Sequence, residues 1–258
     1  MPNPFIILFT ARSGSTALFG DLRKQTGIMM RAEVFGGAKL PGDKEQNDDN
    51  RVEFLRRYWS DFAPGRADAE PTHCKGFKFQ VTHSNEQFSQ PARLVSVLQE
   101  YTPKVVVLRR RNILKQAISS LNARRLKMAT AERYGADKAS AHVTQDHKEV
   151  IEQLRKEKLI VDFPELRHML DGLKASYARL SELGGHFPDR LEIAYEDYLA
   201  DRDGIVRQVM AHIGCDPADY IADETYFKIT QDDLRQVVKN YNGLVRFAEK
   251  HGYTDYIS

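Results

Sequence analysis

Mostly apolar runs of strand length alternate along this chain with segments that have a helical period. Residues 5–9 (FIILF) and 104–108 (KVVVL) are closed by turn-forming residues, as is typical of strands buried on both faces. Weaker strand patterns occur at residues 29–35, 75–81 and 191–194. Helical patterns cover residues 16–25, 52–62, 91–101, 112–126, 164–183, 202–213 and 232–250. Strands that alternate with helices predict a three-layer α/β fold with a mostly parallel central sheet flanked by helices.

Two polar segments interrupt this pattern. Residues 36–71 are irregular and rich in Asp, Gly and Arg, and residues 127–162 have no strong apolar period. The sequence has no internal repeat and no low-complexity linker between these segments. We therefore expect a single domain, residues 1–258, with polar insertions at about 36–71 and 124–162.

The composition suits a globular protein with a sizeable core. Of the 258 residues, 41% are hydrophobic and 29% are charged. The net charge of +2 gives no global basic field that would favour nucleic acid, and it is compatible with a local anion site. Cys74 and Cys215 lack the spacing of a disulfide framework or a zinc site, which suits a reducing cytoplasm. No apolar run approaches the ~20 residues of a membrane helix, and the N-terminus is a poor signal peptide. We expect a cytoplasmic protein with no integral membrane association.

The turn after the first predicted strand, ARSGST, has the composition of an anion-binding loop. In an open parallel sheet, ligands bind beyond the carboxyl ends of the strands. A turn that leads into a helix there presents free N–H groups and the positive end of the helix dipole. Gly14 permits a close approach of the backbone, and Arg12 adds a fixed positive charge. The hydroxyls of Ser13, Ser15 and Thr16 are further donors. A Ser/Thr cap on an ordinary helix, with the arginine in solvent, explains the same residues equally well at this point.

A second strand-to-helix turn is also basic. The predicted strand at 104–108 is followed by Arg109, Arg110 and Arg111, and Ser119 follows Arg111 by eight residues on the next predicted helix. Cations are disfavoured at a helix N-terminus unless an anion is bound there. Two basic turns suit a ligand that carries two separated anionic groups.

The two turns resemble the two nucleotide signatures of the PAPS-dependent sulfotransferases (PAPS is 3'-phosphoadenosine 5'-phosphosulfate). ARSGST resembles the 5'-phosphosulfate loop of that family, and RNILKQAIS resembles its 3'-phosphate signature. Two later segments, LEIAYEDYLAD with HIGCDP and then DLRQVVKNYNGL, resemble further family segments in the same order. The likeness is closer to the bacterial and Golgi-like branches, because the RKG-type loop of the cytosolic eukaryotic branch is absent. The resemblance implies a P-loop-like fold and the transfer of a sulfuryl group from PAPS to an acceptor hydroxyl.

The resemblance also implies which residues bind the nucleotide. They are Arg12, Ser13, Gly14, Ser15, Thr16, Arg111, Ser119, Tyr195 and Asn240. The loop that begins at Arg12 would hold the 5'-phosphosulfate, whereas Arg111 and Ser119 would bind the 3'-phosphate. Tyr195 matches a family position near the adenine. The family requires no metal, since fixed cations replace it, and its product is adenosine 3',5'-bisphosphate.

Glu33 is the predicted general base, which would take the proton of the acceptor hydroxyl. It lies 21 residues after Arg12, where the Golgi-like and bacterial branches carry their catalytic glutamate. A surface glutamate is the alternative interpretation. His83 is the rival base, although the Lys-x-His pattern of the cytosolic branch is absent. Lys78, or alternatively Lys75, would reach the bridging oxygen from the strand that precedes the histidine, and a strand-edge lysine that extends its ammonium to solvent explains the same residue equally well.

Two other classes of function stay open from the sequence. The first is a P-loop nucleotide kinase or phosphotransferase, against which the missing GxxxxGK[ST] pattern argues. The second is a non-catalytic protein that binds a nucleotide or sulfate ester. The acceptor is a small molecule, carbohydrate or lipid whose pocket we expect at the polar insertions. We expect no nucleic-acid partner, and a homo-oligomer is compatible with the sequence.

Overall fold

A computed structural model describes residues 2–35, 39–40, 44–60, 72–82, 88–135, 148–222 and 233–257. Contacts between Cα atoms divide the chain into two compact units. The sheet unit comprises Met1–Arg111 and Ala175–Glu224, and the helical unit comprises Asn112–Lys174 and Thr225–Ser258. The expectation of one domain with polar insertions stays a prediction.

Five parallel strands form the centre of the sheet unit, as predicted. They are β1 (Asn3–Phe9), β2 (Ile28–Glu33), β5 (Cys74–Gln80), β6 (Lys104–Arg109) and β7 (Arg190–Ala194), whereas β3 (Lys39–Leu40) and β4 (Lys44–Glu45) form a separate antiparallel pair. The strand order is β2-β5-β1-β6-β7, and every neighbouring pair in it is parallel. Because β1 is central, the turn that follows it lies at the middle of the carboxyl edge, where ligands of such sheets bind.

Most helices lie close to the positions that the sequence predicts, whereas those at Lys148–Glu157 and Tyr195–Ala200 have no predicted counterpart. The helices are α1 (Ser15–Lys24), α2 (Asp48–Ser60), α3 (Pro91–Tyr101), α4 (Ile113–Tyr134), α5 (Lys148–Glu157), α6 (Phe163–Gly185), α7 (Tyr195–Ala200), α8 (Arg202–Ile213), α9 (Leu234–Val237) and α10 (Tyr241–His251). The predicted helices at 91–101 and 202–213 match α3 and α8 residue for residue. The polar segment 127–162 also contains helices, since α4 extends to Tyr134 and α5 follows. A small apolar cluster, built on Leu126, Val150 and Ile151, packs the second half of α4 against α5.

Helices cover both faces of the parallel sheet. On β1, Phe5, Ile7 and Phe9 pack on the side of α1 and α8, whereas Ile6 and Leu8 pack on the side of α2 and α3. All five side chains are at most 2% exposed, which explains the continuous apolar run in the sequence. The three-layer α/β prediction is therefore confirmed for the sheet unit.

Gly76 of β5 has no room for a side chain against β1. A Cβ atom on Gly76 would lie 2.5 Å from the carbonyl oxygen of Phe5, so a larger residue would force the strands apart. Helix α2 fixes β5 from the other side, because Tyr58 donates a hydrogen bond to the Gly76 carbonyl (2.6 Å) and Trp59 donates one to the Lys75 carbonyl (3.2 Å). These contacts hold the strand that carries Lys78.

The helical unit has a core of its own. It is formed by α4, α6, α9 and α10, with Leu114, Leu166 and Leu244 fully buried. Within the described part of the chain, no helix is both long and apolar enough to cross a membrane.

Candidate functional site

The turn between β1 and α1 has the backbone form of an anion-binding nest. Arg12 (φ 63°) and Gly14 (φ 89°) both adopt left-handed conformations, and such turns direct N–H groups toward one point. Gly14 is the N-cap of α1, and its carbonyl accepts from the N–H groups of Ala17 (3.0 Å) and Leu18 (3.2 Å). No side chain caps α1, and its first turn contains no acidic residue. The interpretation of an ordinary Ser/Thr-capped helix is therefore wrong, and the end of α1 is suited to an external anion.

Gly14 is required at this turn for two reasons. A positive φ strains any residue with a side chain, and a Cβ atom here would lie 2.3 Å from Cδ2 of Tyr195. Tyr195 is the first residue of α7 and is only 5% exposed. The phenol ring therefore packs directly against the turn, and the glycine that admits it could not be replaced without moving the ring.

Arg110 lies on the other side of this tyrosine. Its guanidinium carbon is 4.8 Å from the ring centroid of Tyr195, and its Nη1 donates to the carbonyl of Arg12 (3.3 Å). The Tyr177 hydroxyl accepts from the backbone N–H of Arg110 (2.9 Å) and lies 3.0 Å from its carbonyl oxygen. The sequence prediction did not select this residue. The signal that identifies it is the alternation of side chains along a strand. Val106 and Leu108 on β6 face the same core as Tyr195. Arg110, two residues after Leu108, continues this alternation.

Two buried donors at the turn have no hydrogen-bond partner among the described residues. They are the hydroxyl of Ser13, whose residue is fully buried, and Nε of Arg110, whose residue is 9% exposed. A buried polar group that is left unpaired costs about 1–3 kcal/mol, and more if it is charged. Unpaired donors beside a nest of N–H groups are expected where a bound anion supplies the missing hydrogen-bond acceptors.

Glu33, Lys78 and Thr16 form a contiguous polar chain beside the turn. The ammonium of Lys78 lies 3.1 Å from Oε1 of Glu33 and 3.4 Å from Oγ1 of Thr16. The lysine side chain is 6% exposed and lies between the rings of Phe9 (5.3 Å) and Phe19 (5.6 Å). The structure thus brings together a carboxylate, a buried cation and a loop hydroxyl that the sequence predicted separately.

Strand register produces the contact between the two charged residues. Glu33 on β2 lies opposite Lys78 on β5, and the register shifts between Arg31 and Glu33. Lys75, the alternative lysine, has its ammonium 4.6 Å from the centroid of the Tyr58 ring of α2. Lys78 is therefore the lysine of this strand that contacts the turn.

Arg111, the predicted 3'-phosphate ligand, forms an ion pair in this structure. Both terminal nitrogens contact the carboxylate of Asp197, with Nη1 at 2.8 Å, and its backbone N–H donates to Glu196 (3.0 Å). Hydrogen bonding to Asp197 raises the pKa of the Arg111 guanidinium. The two side chains are 60% and 49% exposed, so this pair contributes little to stability and a stronger anion could displace the carboxylate.

The remaining predicted residues lie in the helical unit or outside the described residues. Ser119 is buried on α4. The side-chain amide of Asn240 forms two 2.9 Å hydrogen bonds with the backbone of Val161, one as donor and one as acceptor. Their nucleotide contacts stay a prediction. His83 lies outside the described residues.

Comparison with known proteins gives similarity at the level of solved structures. No protein-family model matches the chain, and no curated protein matches it. A sulfotransferase from Alicyclobacillus acidocaldarius is 14% identical, with a TM-score of 0.48 over 100% of this chain and 96% of that one. Mouse sulfotransferase SULT7A1 in complex with PAP is 13% identical, with a TM-score of 0.42 over 98% and 86%. A retinol dehydratase in complex with retinol and PAP is 17% identical, with a TM-score of 0.41 over 100% and 82%. At these identities and TM-scores, the matches do not by themselves assign a function to the chain.

Proposed function

We propose that this protein is a sulfotransferase that uses PAPS and transfers its sulfuryl group to a hydroxyl of a small-molecule, carbohydrate or lipid acceptor. The observation that carries the proposal is the β1–α1 turn, where no described side chain caps the helix and two buried donors, Ser13 Oγ and Arg110 Nε, have no hydrogen-bond partner in the described part of the chain. A sulfate or phosphate group has several acceptor oxygens and fits these donors.

The residues around the turn suit the 5' end of the nucleotide. The backbone from Arg12 to Thr16 would bind the phosphosulfate, as the family resemblance implies. Lys78 lies beside this loop, 3.4 Å from the hydroxyl of Thr16, and would place a positive charge near the bridging oxygen. Bound PAPS would supply an activated sulfuryl group together with a phosphate that can leave. The chain itself then has to position the reactants and stabilise developing negative charge, which fixed donors do without reorganisation.

Glu33 is suited to accept the proton of the acceptor hydroxyl. Its carboxylate is 3.1 Å from Lys78, and its side chain is 33% exposed, so one face of the carboxylate is accessible to an acceptor. An alcohol has a pKa far above 7, and a positioned base typically accelerates such a step by about 10²–10⁴-fold. Lys78 keeps the carboxylate in place beside the turn.

The 3' end of the nucleotide would be bound by Arg111 and Ser119, with Tyr195 near the adenine. The planar guanidinium of Arg111 already binds a carboxylate through two nitrogens, and a phosphate offers the same two-oxygen geometry. In the proposed enzyme, the 3'-phosphate therefore competes with Asp197 for this side chain.

A thermal-shift experiment tests the proposal. Adenosine 3',5'-bisphosphate, adenosine 5'-phosphate, ATP and GTP are compared at equal concentration, with and without Mg²⁺. At 100 times its dissociation constant, a ligand that binds only the folded state stabilises by about 2.7 kcal/mol, or roughly 5–10 °C for a chain of this size. We expect the bisphosphate to give the largest shift without Mg²⁺.

Two results would replace the proposed function with one of its alternatives. Mg²⁺-dependent ATP turnover without affinity for the bisphosphate would indicate a nucleotide kinase or phosphotransferase. Bisphosphate binding without transfer from labelled PAPS to any member of a broad alcohol, sugar and lipid panel would indicate a binding protein. Labelled product from one acceptor class would support the sulfotransferase and identify the substrate.

A further inference from the structure

Three consecutive arginines follow β6, and each has a different environment. Arg109 donates from both terminal nitrogens to the hydroxyl of Ser181 (3.2 Å each) and lies 3.5 Å from Glu192. Arg111 is paired with Asp197. Arg110 is the most buried of the three, and among the described residues no carboxylate forms an ion pair with it.

A buried guanidinium without a carboxylate partner is unusual, since removing a charge from water carries a large penalty. The Tyr195 ring and the Arg12 carbonyl compensate for part of that penalty, while Nε of Arg110 has no acceptor among the residues that the structure describes. The side chain is therefore held in a position where its charge is only partly neutralised. A bound anion is the partner that this arrangement lacks.

We propose that Arg110 binds the 5'-phosphate of the nucleotide, so that Arg110 and Arg111 divide the two ends of the ligand between them. This inference rests on the proposed function. The contact with the Arg12 carbonyl connects the Arg110 guanidinium to the turn that would hold the 5' group. Arg111 instead is directed toward α7 through Asp197.

The contacts of Tyr195 with Gly14 and with Arg110 support this assignment. The Tyr195 ring packs against Gly14 and also against the guanidinium of Arg110. The turn and the arginine are therefore both held by the same buried side chain. An ordered planar donor loses little freedom when it binds an anion, which favours a tight contact with phosphate oxygens.

The arginine triplet itself supplies the variants for a test. Arg110→Met keeps most of the side-chain volume without the charge, and Arg110→Lys keeps the charge without the planar donors. Arg109→Met is the matched control, and Arg111→Ala is the variant for the 3' end. Dissociation constants are measured by titration calorimetry for adenosine 3',5'-bisphosphate, adenosine 5'-phosphate and adenosine 3'-phosphate.

Loss of a charge-assisted hydrogen bond weakens binding by about 10- to 100-fold. We expect Arg110→Met to weaken the binding of adenosine 3',5'-bisphosphate and of adenosine 5'-phosphate by this factor. The dissociation constant of adenosine 3'-phosphate should change less than about threefold. Arg111→Ala should give the reverse pattern, and Arg109→Met should leave all three ligands within about twofold of the wild type. Arg110→Lys should give an intermediate loss for the same two ligands.

Several outcomes would overturn the inference. If the Arg110 variants bind all three nucleotides more weakly by the same factor, and the free variants melt at a lower temperature, Arg110 only supports the turn. Unchanged affinity for the 5'-phosphate in the Arg110 variants would exclude a direct contact. If Arg110→Met fails to fold, Arg110→Lys decides between these cases. A wild-type protein that does not bind the bisphosphate refutes the proposed function itself, whereas wild-type binding that is insensitive to Arg110 refutes this inference alone.

Discussion

At the scale of single residues, the proposed chemistry depends most on Lys78. A buried ammonium is stable only if opposite charges or acceptors surround it, and the carboxylate of Glu33 is its one ion-pair partner in the described part of the chain. The same ammonium faces the hydroxyl of Thr16 on the anion-binding turn. It therefore links the predicted base to the predicted nucleotide loop.

Glu33→Gln tests the role of the base. We expect turnover with an identified acceptor to fall by about 10²–10⁴-fold, because the amide cannot take a proton. Affinity for adenosine 3',5'-bisphosphate should stay within about threefold of the wild type, since the glutamate makes no contribution to the proposed nucleotide contacts. Labelled-PAPS turnover and calorimetry measure the two quantities.

Glu53→Gln is the matched control, because Glu53 forms an exposed ion pair with Arg57 on α2. It should change neither quantity. If Glu33→Gln instead abolishes nucleotide binding, Glu33 has a structural role and another group is the base.

The residue types of the site were predictable, whereas their contacts were not. The small and basic residues of the turn indicate an anion site from composition alone, and Glu33 was selected through the resemblance. The contact between Glu33 and Lys78 depends on a register shift within β2, which leaves no mark in the hydrophobic pattern. Arg110 was missed because motif spacing selects Arg111, although strand alternation assigns Arg110 to the side of the turn.

At the scale of elements, one carboxylate connects the helices that follow the site. Asp21 of α1 is 1% exposed and accepts from the Tyr198 hydroxyl of α7 (2.5 Å) and from Nε of Arg202 at the start of α8 (2.9 Å). A second nitrogen of Arg202 also contacts this carboxylate. Since α1 begins at the turn and α7 begins at Tyr195, this network fixes both helix starts.

Asp21→Asn should lower the free energy of unfolding by about 3–5 kcal/mol, because it removes the charge that neutralises Arg202 in a mostly buried setting. Tyr198→Phe removes one hydrogen bond to a charged group and should lower the free energy of unfolding by about 1.5–3 kcal/mol. Urea unfolding measures both changes.

The control for this network is Asp203→Asn. Asp203 accepts an exposed hydrogen bond from Tyr220, so its replacement should alter stability by less than about 1 kcal/mol. A change of that small size for Asp21→Asn would contradict the assigned network.

Helix and strand positions followed from periodicity with few exceptions, since β1, α3 and α8 bury strongly patterned faces. The Asp21 network could not be predicted in the same way. An aspartate within a helix has the pattern of a surface residue, and its partners are 177 and 181 residues away in the chain. Periodicity reports which face is buried and contains no information on which distant polar groups meet there.

At the scale of the whole molecule, the chain has two units with separate cores, and the predicted residues are distributed over both in the sequence. The predicted phosphosulfate loop, Glu33, Lys78, Arg111 and Tyr195 lie in the sheet unit, whereas Ser119 and Asn240 lie in the helical unit. The 124–162 insertion belongs to the helical unit. The hydrophobic pattern of the sequence does not show which helices belong to which unit, because helices of both units have the same helical period.

Stability of the sheet unit should decrease in alkali because of its buried tyrosines. Burial raises the pKa of Tyr58 and of Tyr198 well above the usual value, and burial with a hydrogen bond to Asp203 raises that of Tyr220 to about 12. The unfolded chain ionises near pH 10. A raised folded-state pKa gives stability that is complete below pH 10 and is lost as the pH rises toward the folded value.

Urea unfolding between pH 8 and pH 11 measures this loss. Each strongly shifted tyrosine contributes a slope of about 1.4 kcal/mol per pH unit above pH 10. The Tyr58→Phe and Tyr198→Phe double variant should have a shallower slope than the wild type, even though its stability at pH 8 is lower. Identical slopes would show that these hydroxyls do not govern alkaline unfolding.

The register of the parallel sheet has a consequence for how such a protein can evolve. Glu33, Lys78 and Ile7 occupy one rung across three adjacent strands, and the turn begins just past the last residue of β1. Glu33 on β2 and the turn after β1 are therefore separated laterally by two inter-strand spacings of about 4.8 Å each, and no loop sets this separation. In the proposed enzyme, substitutions in the polar insertions would change the acceptor while this sheet geometry stays the same.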